Sequence, residues 1–165
     1  MLIYQKHITR EDIKANPNVL YVFGDNLERV GMGGQAYEMR GEPNSVGIPT
    51  KKRPSQHSDS FFSDDDYELF IKESYNDIQR LINHYVNNSG TIVWPLDDIG
   101  TGLADLPNKA PKIYAFIQEY KRRHTIIYNS RILQFIPIKR EYVNLDCIKE
   151  IPMFDKFKEA VDIIT

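Results

Sequence analysis

Two short, continuous apolar runs constrain this chain more than any other feature. Residues 19–23 have the sequence Val-Leu-Tyr-Val-Phe, and residues 91–95 have the sequence Thr-Ile-Val-Trp-Pro. Runs of this kind, rich in β-branched and aromatic residues, are typical of strands that are buried on both faces. Each run is followed by a glycine-bearing loop and then by residues of helix-forming composition, at 35–40 and at about 109–122. The sequence therefore predicts an α/β fold, a three-layer sandwich with a mixed, mostly parallel sheet between helices.

The rest of the chain supplies further short strands, amphipathic helices and one long polar segment. A threonine cap at Thr9, with Asp12 three residues later, predicts the start of a short helix. Residues 49–66 are polar and predict a long surface loop. The other predicted elements are strands at 2–4, 45–48, 125–128 and 131–138 and helices at 67–85 and 154–164. The 165 residues contain no linker and predict one domain over 1–165, with 125–165 as a C-terminal extension.

Composition excludes several classes of function. A net charge of −2 and a pI near 6.1 argue against general nucleic-acid binding, which needs a basic face. No apolar run reaches the length of a membrane span, and the lone Cys147 fits a reducing compartment. We therefore expect a cytoplasmic protein without membrane association, and the abundance of Ile, Lys, Asn and Tyr suggests a bacterial or phage source. The scattered histidines lack metal-ligand spacing, so neither a metal nor a cofactor is expected. The sequence leaves the oligomeric state open.

The two glycine-bearing loops are the candidate ligand site. Ligands of open α/β sheets bind beyond the carboxyl ends of the strands, where glycines let backbone N–H groups and helix N-termini approach an anion. Neither loop matches a Walker motif or the dinucleotide fingerprint, and the alternative is that these glycines only serve tight turns. The candidate ligand-binding residues lie in the two loops: Gly24, Gly31, Gly33, Gly34, Gln35, Ile99, Gly100, Thr101 and Gly102.

The loops resemble the two signature loops of the macro-domain family. The first resemblance is Asn26-Leu27 followed by Gly31, Gly33, Gly34 and Ala36, and the second is Pro-Leu-Asp-Asp-Ile-Gly-Thr-Gly at 95–102 with Pro107. Together, the resemblance to the family covers about residues 4–120. The resemblance implies a macro-like fold that binds ADP-ribose. It implies that Asn26 contacts the distal ribose, that residues 31–35 wrap the distal ribose and diphosphate, and that residues 99–102 close over the phosphates.

The chain departs from the family pattern at three places. His7 stands where the family has the aspartate that binds the adenine amino group, so adenine recognition is an open question. Gly24-Asp25 replaces the usual alanines, and Asp97 adds a second acid before Asp98. A carboxylate beside a glycosidic or ester bond can orient a water, which makes Asp25, Asn26 and Asp98 the candidate catalytic residues. The alternative for Asp25 is a loop cap of the Asx-turn type.

These features predict a protein that binds ADP-ribose or a related nucleotide, from a divergent phage or bacterial branch. Hydrolysis of an ADP-ribosyl or ADP-ribose-phosphate bond is one hypothesis, and it would make the protein a hydrolase. The alternative is a non-catalytic binder that sequesters or senses a nucleotide signal. A third interpretation is an interaction protein with glycine-rich loops. Lys51, Lys52 and Arg53 either meet an anion or form a solvated loop surface.

Overall fold

The computed structural model describes residues 1–86 and 90–122, and in this part strands alternate with helices. The strands are β1 (Leu2–Gln5), β2 (Val19–Asn26), β3 (Ser45–Lys51) and β4 (Thr91–Pro95). The helices are α1 (Arg10–Ala15), α2 (Ala36–Met39), α3 (Tyr67–Val86), α4 (Leu106–Lys109) and α5, which begins at residue 111 and continues to residue 122, where the description ends. Two short 3-10 turns, Ser58–Ser60 and Asp64–Asp66, precede α3.

The four described strands form one sheet in the order β1-β4-β2-β3. All three strand pairs are parallel, with Tyr21 opposite Val93 in the central pair. The α/β class is therefore confirmed, and every pairing among the described strands is parallel. The strands predicted at 125–128 and 131–138, the helix predicted at 154–164 and the extension over 125–165 lie outside the described residues.

Helices cover both faces of the sheet. The side chains of each strand alternate between the two faces, so one strand contacts helices on both sides. On β2, Leu20 and Val22 belong to a core cluster that also contains residues of α3, α4 and α5. Tyr21 and Phe23 belong to a second cluster, with Ile13 of α1 and residues of α2. The central strands are thus buried on both sides, which explains their uninterrupted apolar sequence.

The loops after β2 and β4 leave the sheet toward opposite faces. The chain runs from β2 into α2, which packs on one face, and from β4 into α4 and α5, which pack on the other. Because β2 and β4 are neighbours, the divergence of their loops opens a crevice at the carboxyl ends of these strands. The crevice positions the candidate site.

Local signals fixed several element boundaries as predicted, but two strands are longer than expected. Thr9 and Asp12 form the capping box that begins α1. In contrast, β2 continues through Asn26 and β3 through Lys51. The predicted surface loop at 49–66 was wrong in part, since it contains the end of β3 and two 3-10 turns, and Phe62 is buried with its ring edge-on to Phe70.

Within the described residues, no helix is both long and apolar enough to cross a membrane.

Candidate functional site

A cavity of about 340 Å³ opens at the carboxyl ends of β2 and β4. Its walls come from three stretches of chain, 24–36, 50–56 and 98–104, together with Arg40 at the end of α2. Every predicted site residue lines this cavity except Thr101, whose hydroxyl instead donates to the backbone oxygen of Asp97 at 2.7 Å. His7 is exposed and does not belong to the lining. The fold therefore brings both glycine loops, far apart in sequence, to one cavity.

The first loop takes a conformation that requires glycine. Gly31 and Gly34 have φ values of 88° and 57°, in the left-handed region that residues with a side chain rarely adopt. The amide of Asn26 donates to the backbone oxygen of Val30 at 2.7 Å and closes the loop at its start. Nε of Arg40 donates to the backbone oxygen of Gly31 at 2.8 Å. Asn26 is thus a loop-closing residue that also lines the cavity.

Both loops present backbone donors that have no acceptor among the described residues. In the part of the chain that the structure describes, the N–H groups of residues 31–35 and 100–104 have no hydrogen-bond acceptor within the protein. Residues 31–34 and 101–103 are exposed, so their N–H groups are accessible, and accessible backbone donors around a cavity suit an anionic ligand. The helices that follow, α2 and α4, contain four residues each, so the expected dipole contribution is small.

Asp98 anchors the second loop to α5. One carboxylate oxygen of Asp98 accepts from Nε1 of Trp94 and from the N–H of Ile99, both at 2.8 Å. The other accepts from Nε2 of Gln118 at 2.5 Å and from Nζ of Lys121 at 2.6 Å. Burial raises the pKa of the Asp98 carboxyl, but these hydrogen bonds outweigh burial, so its pKa lies below the ordinary value. Asp98 is an ionised, fully engaged acid.

Like Asp98, Asp25 accepts hydrogen bonds on both carboxylate oxygens, but it lies on the opposite face of the sheet. Period-2 alternation along β2 points its side chain toward α2, and only 4% of that side chain is exposed. Arg40 donates to both carboxylate oxygens of Asp25, at 3.1 Å to one and closer to the other. The N–H of Asn26 donates to the same carboxylate at 2.7 Å, and a guanidinium nitrogen of Arg29 lies 3.7 Å away.

Three cationic side chains line the cavity. Arg40 is neutralised by Asp25, and Arg53 pairs with Asp59 at 3.0 Å. Lys51 is only 8% exposed and has no ion-pair partner among the described residues. The three basic residues predicted at 51–53 thus separate, since Lys52 turns away to pair with Asp66 at 3.1 Å.

Sequence reasoning missed part of the lining. Arg40 is absent from the predicted site, and no sequence signal connects it with Asp25, fifteen positions earlier. Thr50 and Lys51 fall in the polar stretch 49–66, which predicts a surface loop. Recognising that β3 continues to Lys51 would have placed both at the same sheet edge as the end of β2, since parallel strands share their carboxyl ends.

The arrangement is suited to holding a phosphate-bearing molecule. Unused N–H groups from two loops and a buried ammonium meet in one cavity, whereas both lining carboxylates already face cations. Within the described residues, no group of three or more His, Cys, Asp or Glu side chains is placed to hold a metal ion.

Comparison with known proteins identifies the family of this chain. No curated protein and no solved structure matches it. A family model matches residues 3–120, which include β2, β3, β4, most of β1 and both glycine loops. The chain therefore belongs to the family of unknown function DUF7831.

Proposed function

We propose that the cavity between the two loops binds ADP-ribose or a closely related nucleotide through its phosphates. The observation that carries the proposal is a pair of loop segments, 31–35 and 100–104, whose N–H groups have no acceptor among the described residues. All of these residues except Thr101 line one cavity. A diphosphate offers several oxygens in a small volume, so it can accept from both loops at once. Backbone donors in loops of this type are a recurring solution for phosphate binding.

Charge and size support the same ligand. The lining contains Arg40, Lys51 and Arg53 against two carboxylates, each of which is already paired. The balance favours an anion, although the chain as a whole is slightly acidic. A volume of about 340 Å³ is within the range of small-molecule sites. The resemblance of both loops to macro-domain loops supplies the choice of ADP-ribose over other phosphate-bearing molecules.

Of the two activities, binding without turnover is the one we propose. A general base needs a lone pair directed at a water beside the scissile bond. Both oxygens of Asp25 accept from Arg40, and both oxygens of Asp98 accept from donors on β4, α5 or the loop itself. These contacts favour carboxylates that shape the loops. The proposed role is therefore to sequester or sense a nucleotide.

Thermal unfolding and calorimetry test the proposal. ADP-ribose at one hundred times its Kd should stabilise the folded protein by about 2.7 kcal/mol, because it binds only the folded state. The panel should include ADP-ribose, its phosphates, NAD and AMP, with ribose as a control that lacks phosphate. Chromatography of the recovered ligand reports turnover. An unchanged Tm with the whole panel at millimolar concentration would refute the binding site, and recovery of hydrolysed ligand would restore the hydrolase hypothesis.

A further inference from the structure

Two lysines contact the ring of Phe61, and one of them, Lys51, lines the cavity. Nζ of Lys51 and Nζ of Lys109 each lie 4.1 Å from the centroid of the Phe61 ring, so the two ammonium groups are within twice that distance of each other. They come from distant parts of the chain, since Lys51 ends β3 and Lys109 ends α4. Lys51 is buried and lines the cavity, whereas Lys109 is exposed.

The described residues supply no countercharge for this pair. Among residues 1–86 and 90–122, no carboxylate lies within ion-pair distance of either ammonium group. The contacts of Lys51 are the Phe61 ring and the backbone oxygen of Ser55, which accepts from Nζ at 2.5 Å. A buried charge is normally paired, because its desolvation is costly. Two like charges at one ring add repulsion to that cost.

The pKa of the Lys51 ammonium reflects its burial and the neighbouring positive charge. Burial, and then the positive charge of Lys109, lower the pKa of the Lys51 ammonium below its ordinary value. The attraction of an anion near the two nitrogens would offset both effects and favour the charged form of Lys51. Each ammonium group carries three donors, so donors remain on Lys51 beyond the one used by Ser55.

We propose that Lys51 and Lys109 form a second anion subsite, beside the glycine loops, for a phosphate group. The phosphate is either free in solution or part of the nucleotide already bound at the loops. In the second case the subsite rests on the proposed function and selects ligands that carry a phosphate in addition to the diphosphate. Phe61 contacts both ammonium groups through cation–π interactions.

Inorganic phosphate is the probe for the first experiment. Its apparent affinity is measured from the rise in Tm at constant ionic strength, with chloride as the balancing anion. Lys109→Gln, on the surface, and Lys51→Met, which keeps an unbranched apolar stem, should each weaken phosphate binding by about tenfold, as expected for one charge-assisted contact. Lys112→Gln is the matched control, because it removes an exposed lysine three residues away and should leave the affinity unchanged.

Each result bears on the subsite. If Lys109→Gln has no effect, or if Lys112→Gln weakens phosphate binding equally, the subsite is wrong. If Lys51→Met does not fold, the comparison of Lys109→Gln with Lys112→Gln still tests the subsite. Repeating the titration with a saturating ADP-ribose phosphate, which carries a phosphate in addition to the diphosphate, separates the two sources of phosphate. If inorganic phosphate and the nucleotide raise the Tm additively, the subsite binds a free anion. If the nucleotide competes with inorganic phosphate and the competition depends on Lys109, the subsite binds a phosphate carried by the nucleotide. Lys109-dependent phosphate binding without any response to ADP-ribose would refute the proposed function and leave the subsite standing.

Discussion

Arg40 donates hydrogen bonds to both carboxylate oxygens of Asp25. The same guanidinium donates through Nε to the backbone oxygen of Gly31, so one side chain connects the end of β2 to the first glycine loop. A bidentate arginine–carboxylate pair fixes geometry as well as charge. The acid that the sequence offers as a general base is therefore the anchor of the loop that lines the cavity.

Replacing Asp25 should lower stability as well as alter the loop. We expect Asp25→Asn to reduce the free energy of unfolding by about 3 kcal/mol, because it leaves the half-buried Arg40 without its counterion. Urea unfolding measures the loss. The binding of ADP-ribose should weaken as well, since the first loop loses the contact that orients Arg40.

A double-mutant cycle supplies the control for Asp25. If the two residues act as a pair, Asp25→Asn combined with Arg40→Met should cost less than the sum of the single changes. Full additivity would contradict a direct coupling. An Asp25→Asn protein with normal stability and binding, but with lost turnover of an ADP-ribosyl substrate, would instead support the catalytic hypothesis.

Filling the glycine loops should block the ligand without unfolding the protein. A Cβ added at Gly102 meets nothing within 4 Å, and one added at Gly33 meets only Leu103 Cδ1, at 3.8 Å. Both glycines line the cavity. We therefore expect Gly33→Val and Gly102→Val to keep the Tm within a few degrees of the parent and to abolish ADP-ribose binding by calorimetry.

Two other glycines separate loss of binding from loss of stability. Gly41 lies away from the cavity with a φ of 87°, so Gly41→Ala should cost about 1 kcal/mol of stability and leave binding intact. Gly100 has a φ of 80°, and a Cβ there would collide with Leu106. Gly100→Ala should therefore destabilise the fold itself.

Normal ADP-ribose binding by both Gly33→Val and Gly102→Val would place the ligand elsewhere.

Asp98 should make a pH-dependent contribution to stability. The pKa of its carboxyl is below the ordinary value in the folded state, so its contribution is fully present above that value and is lost as the pH falls through the folded pKa. We expect Asp98→Asn to cost about 2 kcal/mol at neutral pH, through weakened charge-assisted hydrogen bonds. The difference from the parent should shrink as the pH falls below about 4.

Asp97 provides the matched control for this measurement. It is the exposed neighbour of Asp98 and contributes a backbone oxygen, not its carboxylate, to the contact with Thr101. Unfolding of Asp97→Asn should therefore follow the parent at every pH. A constant difference between Asp98→Asn and the parent from pH 7 to pH 3 would show that the ionised carboxylate is not what stabilises the loop.

Local sequence predicted those elements whose signals lie within a few consecutive residues. The run at 19–23 predicted β2 because its side chains are apolar on both faces, and the capping box of Thr9 predicted the start of α1 because the partners are three residues apart. The end of β3 was missed because residues 49–66 are polar as a whole and predict a surface loop, although Pro49 lies within the strand. Here β3 lies at the edge of the described sheet, where a missing N–H donor is tolerated.

The sequence by itself determined that two buried strands each lead into a glycine loop, since both signals lie within a few consecutive residues. Only the tertiary structure decided that β4 inserts between β1 and β2, which makes the two loops neighbours. It also decided the pairing of Asp25 with Arg40 and of Asp98 with Lys121. These contacts depend on how helices pack across the two faces of the sheet. That packing is a property of the whole core, so no short stretch of sequence records it.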